Sequence, residues 1–153
     1  MKKIIAFFIL VATMLCIVSC GISDDPKELK KMLKEEDYEV KTITKSSEVK
    51  AWVKAADVDA DVTAVVTGYN EDGDMVMVIV CEDSKSAKEV AEYLEEYLDE
   101  AKEEFEDLDE EELEKLDVDL DDYKVGTSGK VAYLGNKAAI KAIGGLLTAT
   151  YLI

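Results

Sequence analysis

The seven residues Met75-Val76-Met77-Val78-Ile79-Val80-Cys81 constrain the fold more than any other stretch of the chain. Successive side chains of a strand point to opposite faces, and here both alternating sets are apolar. A strand of that kind belongs inside a sheet that is covered on both sides. Val62 to Tyr69 is a second β-rich run, and Asn70-Glu71-Asp72-Gly73 between the two supplies turn residues, which predicts a hairpin. One face of the sheet needs a helix, and so does the other. The helices at the two ends of the chain are the candidates for the second cover.

Asp25-Pro26-Lys27-Glu28 predicts a helix start, with Asp as the N-cap, Pro at the first position and Glu three residues after the cap. This helix is expected to run to about Asp37, with Leu29, Met32 and Leu33 on its apolar side. Lys27, Lys30, Lys31 and Lys34 fall on another side at helical spacing. Tyr38 to Thr44 alternates as a strand does. Ser46 or Ser47 is then expected to cap a short helix that buries Val49, Trp52, Val53 and Ala56.

Ser86-x-x-Glu89 predicts the start of the longest helix, whose stripe is Ala87, Val90, Ala91, Leu94, Leu98, Ala101, Phe105 and Leu108. Near Asp109 the helix is expected to restart. Asp109 and Glu112 form a capping box there, and Leu108 and Leu113 have the hydrophobic-staple spacing. Tyr123 to Leu134 reads as one or two strands turning at Thr127-Ser128-Gly129. Asn136 is expected to cap an Ala-rich helix to about Ile143, ended by Gly144-Gly145. Leu146 to Ile153 is apolar, too short to cross a membrane, and expected to pack on the sheet. Without its first and last helices the order is strand, helix, strand, strand, helix, strand, the ferredoxin-like split β-α-β pattern. The expected class is therefore α+β, a two-layer arrangement with added N- and C-terminal helices. No internal repeat is visible.

The N-terminus carries a different signal. Met1-Lys2-Lys3 is a positive n-region, and Ile4 to Val18 is an apolar h-region of signal-peptide length, short of a bilayer span. It ends in Ile17-Val18-Ser19-Cys20-Gly21, which resembles the lipobox of bacterial lipoproteins. Ile17 stands at the aliphatic position, where that family more often has Leu, and Ser19 is the small residue before the cut. The resemblance implies cleavage after Ser19 and acylation of Cys20, so that residues 1–19 are a signal peptide and residues 20–24 a lipidated cysteine and tether. Residues 25–153 would then form a single α+β domain. Two or three acyl chains give stable attachment where one would be marginal. The implied location is the extracytoplasmic face of the cell membrane. Four residues, Gly21 to Asp24, reach about 13 Å at most, which keeps the domain close to the lipid.

Composition narrows the chemistry. The net charge is −17, and the chain contains neither Arg nor His. Loss of Lys2 and Lys3 with the leader would leave −19 on the 134 residues from Cys20 onward. Bidentate phosphate clamps rest on Arg, so nucleic-acid binding is not expected. Without His, the commonest general base and the commonest metal ligand are both missing. With Cys16 in the leader and Cys20 acylated, Cys81 is the remaining thiol, and its apolar run marks it as a buried structural one.

Several motifs resemble sites and fail on detail. Gly126-Thr127-Ser128-Gly129-Lys130 looks like half of a phosphate-binding loop. Lys124 stands where that pattern needs Gly, and Val131 stands where it needs Ser or Thr. Asp57, Asp59, Asp61 and again Asp117, Asp119, Asp121 alternate like the start of a calcium loop. The sixth and twelfth positions are Val62 and Gly68 in the first run, and Asp122 and Ser128 in the second, so neither fits. Ser84-Lys85-Ser86-Ala87-Lys88 is better explained by helix capping than by a Ser–Lys nucleophile. Trp52, Tyr93 and Tyr97 are expected to be packing aromatics. No catalytic residue, metal ligand or cofactor is therefore assigned, and the chain is not expected to be an enzyme.

Charge is unevenly distributed. Cys20 to Ala56 holds eight acids and eight lysines, whereas Glu95 to Asp122 holds seventeen acids and two lysines. The expected protein is a membrane-anchored module that presents an acidic helix to a basic protein or polycation. Lys27, Lys30, Lys31 and Lys34 are the candidate membrane-facing residues. The alternative is a small-ligand or divalent-cation-binding lipoprotein accessory to a transport system.

Overall fold

The computed structural model describes residues 21–106, 108 and 119–144. The leader, the cut after Ser19, Cys20, the restart at Asp109 and the segment Leu146 to Ile153 lie outside the described residues. The elements in chain order are α1 Pro26–Glu35, β1 Glu39–Ile43, α2 Ser46–Ala56, β2 Val62–Tyr69, β3 Met75–Cys81 and α3 Ser84–Glu106. A 3-10 turn at Leu120–Asp122, β4 Tyr123–Ser128, β5 Val131–Asn136 and α4 Lys137–Ala142 follow.

The five strands form one antiparallel sheet in the order β1-β2-β3-β5-β4. The α+β class is as the patterning predicts, but the strand order departs from the ferredoxin-like split. In that pattern the first helix joins two parallel strands with a third between them. Here the chain leaves and re-enters the sheet at the same end, Ile43 lying opposite Val65, so β1 and β2 pair directly and antiparallel. The reversal follows from local geometry. Asp57 ends α2 in the left-handed conformation with φ 53° and turns the chain back toward the strand end it left. The last β region is a hairpin, and its second strand, β5, takes the place beside β3.

β3 lies at the centre, as its two apolar faces require. Val76, Val78 and Val80 point to one side with Leu29, Leu33, Val66, Val131, Ala139 and Ile143. Ile79 and Cys81 point to the other with Val65, Ala87, Val90, Leu94, Ala132 and Leu134. The sheet and its α2–α3 layer make a two-layer unit. The added terminal helices α1 and α4 cover the opposite face. Each fully buried Val, Leu or Ile contributes on the order of 1.5–3 kcal/mol relative to exposure, so both faces stabilise the domain.

The helix caps follow the sequence in two places and shift in two. Asp25 caps α1 by accepting from the Lys27 N–H at 2.9 Å, and Asn136 caps α4 by accepting from the Ala139 N–H at 3.2 Å. The cap of α3 is Asp83, not Ser86: the Ser86 N–H donates to Asp83 Oδ1 at 2.7 Å. Aspartate is as good a cap as serine, and the helix gains a turn by using it. At α2, Ser46 is already helical, and Lys45 takes the cap position without a side-chain bond.

Two sheet ends are distinguished by what they carry. The start of β2, the end of β3 and the β4–β5 turn lie together, since Val62 pairs with Cys81 and Val80 with Val131. At the opposite end, Asp74 accepts from both Asn70 Nδ2 at 3.1 Å and Asn136 Nδ2 at 2.6 Å, tying the β2–β3 hairpin to β5. α1 and α3 both run from the first end toward the second. The 23 residues of α3 span about 34 Å against roughly 23 Å for β3, so its last turns pass beyond the sheet.

Candidate functional site

The segment after Cys20 is held against the domain. Ile22 is 7% exposed and packs in the same cluster as Leu29 and Leu33. Its N–H donates to Ser128 Oγ at 3.0 Å. Ser23 Oγ donates to Glu28 at 2.6 Å and accepts from the Asp25 N–H at 3.2 Å. The reach of this segment is thus taken up by contacts with α1 and with the β4–β5 turn. Gly126 to Lys130, the half phosphate loop, is that turn: β4 ends at Ser128 and Gly129 turns with φ 57°.

On the outer side of α1, Lys27, Lys30, Lys31 and Lys34 are exposed, as their spacing predicts. Lys31 lies 3.8 Å from Glu35. Sequence reasoning missed that Lys137 and Lys141 of α4 cover the same sheet face. The two helices bury Leu29, Leu33 and Ala139 in one cluster, and the chain just beyond α4 approaches α1, where a β-carbon at Gly144 would lie 3.4 Å from Met32 Cε. The signal for this was faint: the Asn136 cap places both lysines on the polar side of a short helix, but nothing local says which face that helix covers.

On the opposite face, α3 holds nine acids and three lysines. Glu92, Glu96, Glu100 and Glu104 form one exposed column at i,i+4 spacing, and Glu95, Asp99 and Glu103 form a second. Like charges at this spacing destabilise a helix by about 0.2–0.5 kcal/mol per pair. Tyr97 stands among these acids and is 54% exposed. Its ring stacks on Tyr93 at 6.4 Å, and Tyr93 meets the edge of Trp52 at 6.5 Å. The inner end of this ladder packs α2 on α3, and the outer end is an amphipathic platform.

The remaining candidates resolve into structure. Lys85 Nζ lies 3.0 Å from Glu89, which raises the pKa of the lysine, while Ser86 Oγ accepts from the Asp61 N–H at 3.2 Å. No Ser–Lys couple forms. Burial pushes the Cys81 thiol up to about 11, with the charges of Asp83 and Asp61 adding to the effect, so it is a poor nucleophile. Asp57, Asp59 and Asp61 line an open cleft of about 730 Å³ with Glu82, but Lys50 and Lys54 line it too. Asp119 caps the 3-10 turn through the Asp121 N–H at 3.0 Å, Asp121 faces Lys102 at 3.6 Å, and Asp117 lies outside the described residues. Among the described residues no group of three or more His, Cys, Asp or Glu is placed to hold a metal ion. Among them, too, no helix is long and apolar enough to cross a membrane. Comparison with protein-family models, with curated proteins and with solved structures finds no match.

Proposed function

We propose that this chain is a bacterial lipoprotein, anchored by acylation of Cys20, that acts by binding a basic protein or polycation through α3. The observation that carries the reading is the pair of acidic columns. Five like-charged i,i+4 pairs, from Glu92/Glu96 to Glu100/Glu104 and from Glu95/Asp99 to Asp99/Glu103, together work against the helix by about 1–2.5 kcal/mol. Solubility would be served as well by acids spread among lysines. Repeated acids around the exposed Tyr97 favour a surface kept for a partner, with the aromatic as its apolar anchor and the carboxylates steering association.

The test is site-specific photocrosslinking in the native envelope, with a photoreactive phenylalanine analogue in place of Tyr97. The reading predicts a discrete crosslinked species whose partner has a basic surface and whose yield falls with added salt. Reversing charge with Glu96→Lys and Glu103→Lys should abolish it. A species that survives both treatments, or none at all, speaks against an acidic-helix interaction. The alternative, a small-ligand or cation-binding lipoprotein accessory to transport, rests on the cleft lined by Asp57, Asp59, Asp61 and Glu82. Titration calorimetry with calcium and magnesium separates the two, because stoichiometric heat favours the cleft.

A further inference from the structure

We propose that the surface formed by α1 and α4 is a membrane-docking face for anionic lipid headgroups, so that the domain lies on it with α3 turned outward. The inference rests on the lipid-anchor reading and adds to it the part of the domain that meets the bilayer. Three observations converge on one face.

The first is charge. α1 and α4 are separated by about a hundred residues of chain, yet they cover the same side of the sheet. Their outer sides hold Lys27, Lys30, Lys31, Lys34, Lys137 and Lys141 against Glu28, Glu35 and Asp122, a net charge of +3 in a protein of net charge −17. Lys31 and Lys137 also face carboxylates, Glu35 at 3.8 Å and Asp122 at 3.0 Å. Asp24 and Asp25 precede α1 and Glu36 and Asp37 follow it, all exposed, so the basic stretch is bounded by acids at both ends of that helix. The opposite face carries the net −6 of α3. The exposed lysines of α1 and α4 and the acidic columns of α3 therefore lie on opposite faces of the sheet.

The second is the position of the tether. Ile22 is buried in the cluster beneath α1, and its N–H is held by Ser128. A lipid on Cys20 therefore meets the domain at one end of the lysine face, two residues from a fixed point. A domain tethered there has its lysine face closer to the anchor than its acidic face, and charge then decides which of the two lies on the bilayer.

The third is the sign of the membrane. A leaflet that contains anionic lipid attracts clustered lysines close to its surface, an effect that decays within a Debye length of about 8–10 Å. Repulsion of α3 acts in the same sense. An anchored domain meets the headgroups beside its own anchor at high local concentration, and anionic headgroups complement the exposed lysines of this face.

The experiment uses the whole chain, isolated from its host membrane and reconstituted into vesicles with either about a third phosphatidylglycerol or phosphatidylcholine alone. A coumarin amino acid replaces Ala138 on α4 or Glu96 on α3, both exposed. Energy transfer to a headgroup acceptor reports proximity at low salt. Docking predicts several-fold stronger transfer from position 138 than from position 96 in anionic vesicles, with the ratio falling toward one in 0.5 M NaCl and in the Lys30→Glu/Lys34→Glu/Lys141→Glu variant. Equal transfer from the two positions in anionic vesicles at low salt overturns the proposal, as does a ratio that the triple variant leaves unchanged. Intact mass reports separately on the anchor. A mass without acyl chains removes the lipoprotein reading, whereas the transfer ratio still decides which face meets the lipid.

Discussion

The backbone N–H of Ile22 donates to the hydroxyl of Ser128 at 3.0 Å, across 106 positions of sequence. This contact joins the first described residues to the β4–β5 turn and fixes where the chain enters the domain. Replacing Ser128 with Ala removes the acceptor and leaves a part-buried N–H unpaired, for an expected loss of about 1 kcal/mol. Amide exchange at Ile22 should quicken, and protease cleavage between Gly21 and Asp24 should appear. Unchanged exchange at Ile22 would show that apolar burial alone holds the segment.

Two glycines of the β5–β4 pair separate rigid from yielding contacts. A β-carbon at Gly135 would lie 2.9 Å from the Met75 carbonyl oxygen and 2.9 Å from Val76 Cγ2, in the middle of the sheet. A β-carbon at Gly126 would meet the far end of the Tyr133 side chain, its hydroxyl at 2.5 Å and its ring carbon Cζ at 2.6 Å, and that side chain can swing. Gly135→Ala is therefore expected to destabilise by about 2–3 kcal/mol and Gly126→Ala by about 1 kcal/mol. The second loss should shrink in a Tyr133→Ala background, where the ring that the β-carbon meets is gone. Denaturant midpoints at equal slope check both.

Most of the elements were legible in the sequence because their signals are local. The β3 run placed itself at the centre of a covered sheet, Asn70 to Gly73 marked the hairpin, and Asp25-Pro26 marked the start of α1. The strand order was not legible. Whether β1 pairs with β2 directly depends on the direction in which the chain leaves α2, and that is set at Asp57, a left-handed residue type that sequence does not distinguish from an ordinary surface aspartate. The lysines of α1 could be read from their spacing, but Lys137 and Lys141 could not be joined to them. Their proximity comes from packing across the sheet, not from any pattern within α4. The Ile22–Ser128 contact was hidden for the same reason.

Asp57 itself offers a test. It holds φ 53° at the C-terminal end of α2, where its carboxylate also faces the negative end of the helix dipole. Glycine takes this conformation without strain and lacks the charge. Asp57→Gly should stabilise the domain by about 0.5–1 kcal/mol, measured as a higher midpoint in urea. A lower midpoint would mean that the carboxylate has a structural partner in the cleft.

Alkaline conditions should weaken the fold by a definite route. Burial raises the thiol of Cys81 from 9.0 to about 11 and the phenol of Tyr38 from 10.0 to about 12, the latter helped by Asp74 and Glu36. In each case the unfolded chain releases its proton at lower pH than the folded one, so stability is intact below the unfolded value and falls as pH rises through the folded value. The window runs from pH 9 to about 11 for Cys81 and from pH 10 to about 12 for Tyr38. Cys81→Ala should flatten the lower part of this decline. At pH 8 the native thiol should react with a disulfide reagent far more slowly than the unfolded chain does.

The acidic columns of α3 test the central claim most directly. If they are kept for a partner, they oppose the stability of the helix that carries them. Glu96→Lys with Glu103→Lys converts repulsive pairs into attractive ones at no loss of helix propensity. At low salt this variant should be more stable than the parent by about 1–2 kcal/mol, and the difference should vanish in 1 M NaCl. A variant less stable than the parent under the same conditions would mean that these acids hold the fold, and would contradict a surface maintained for binding.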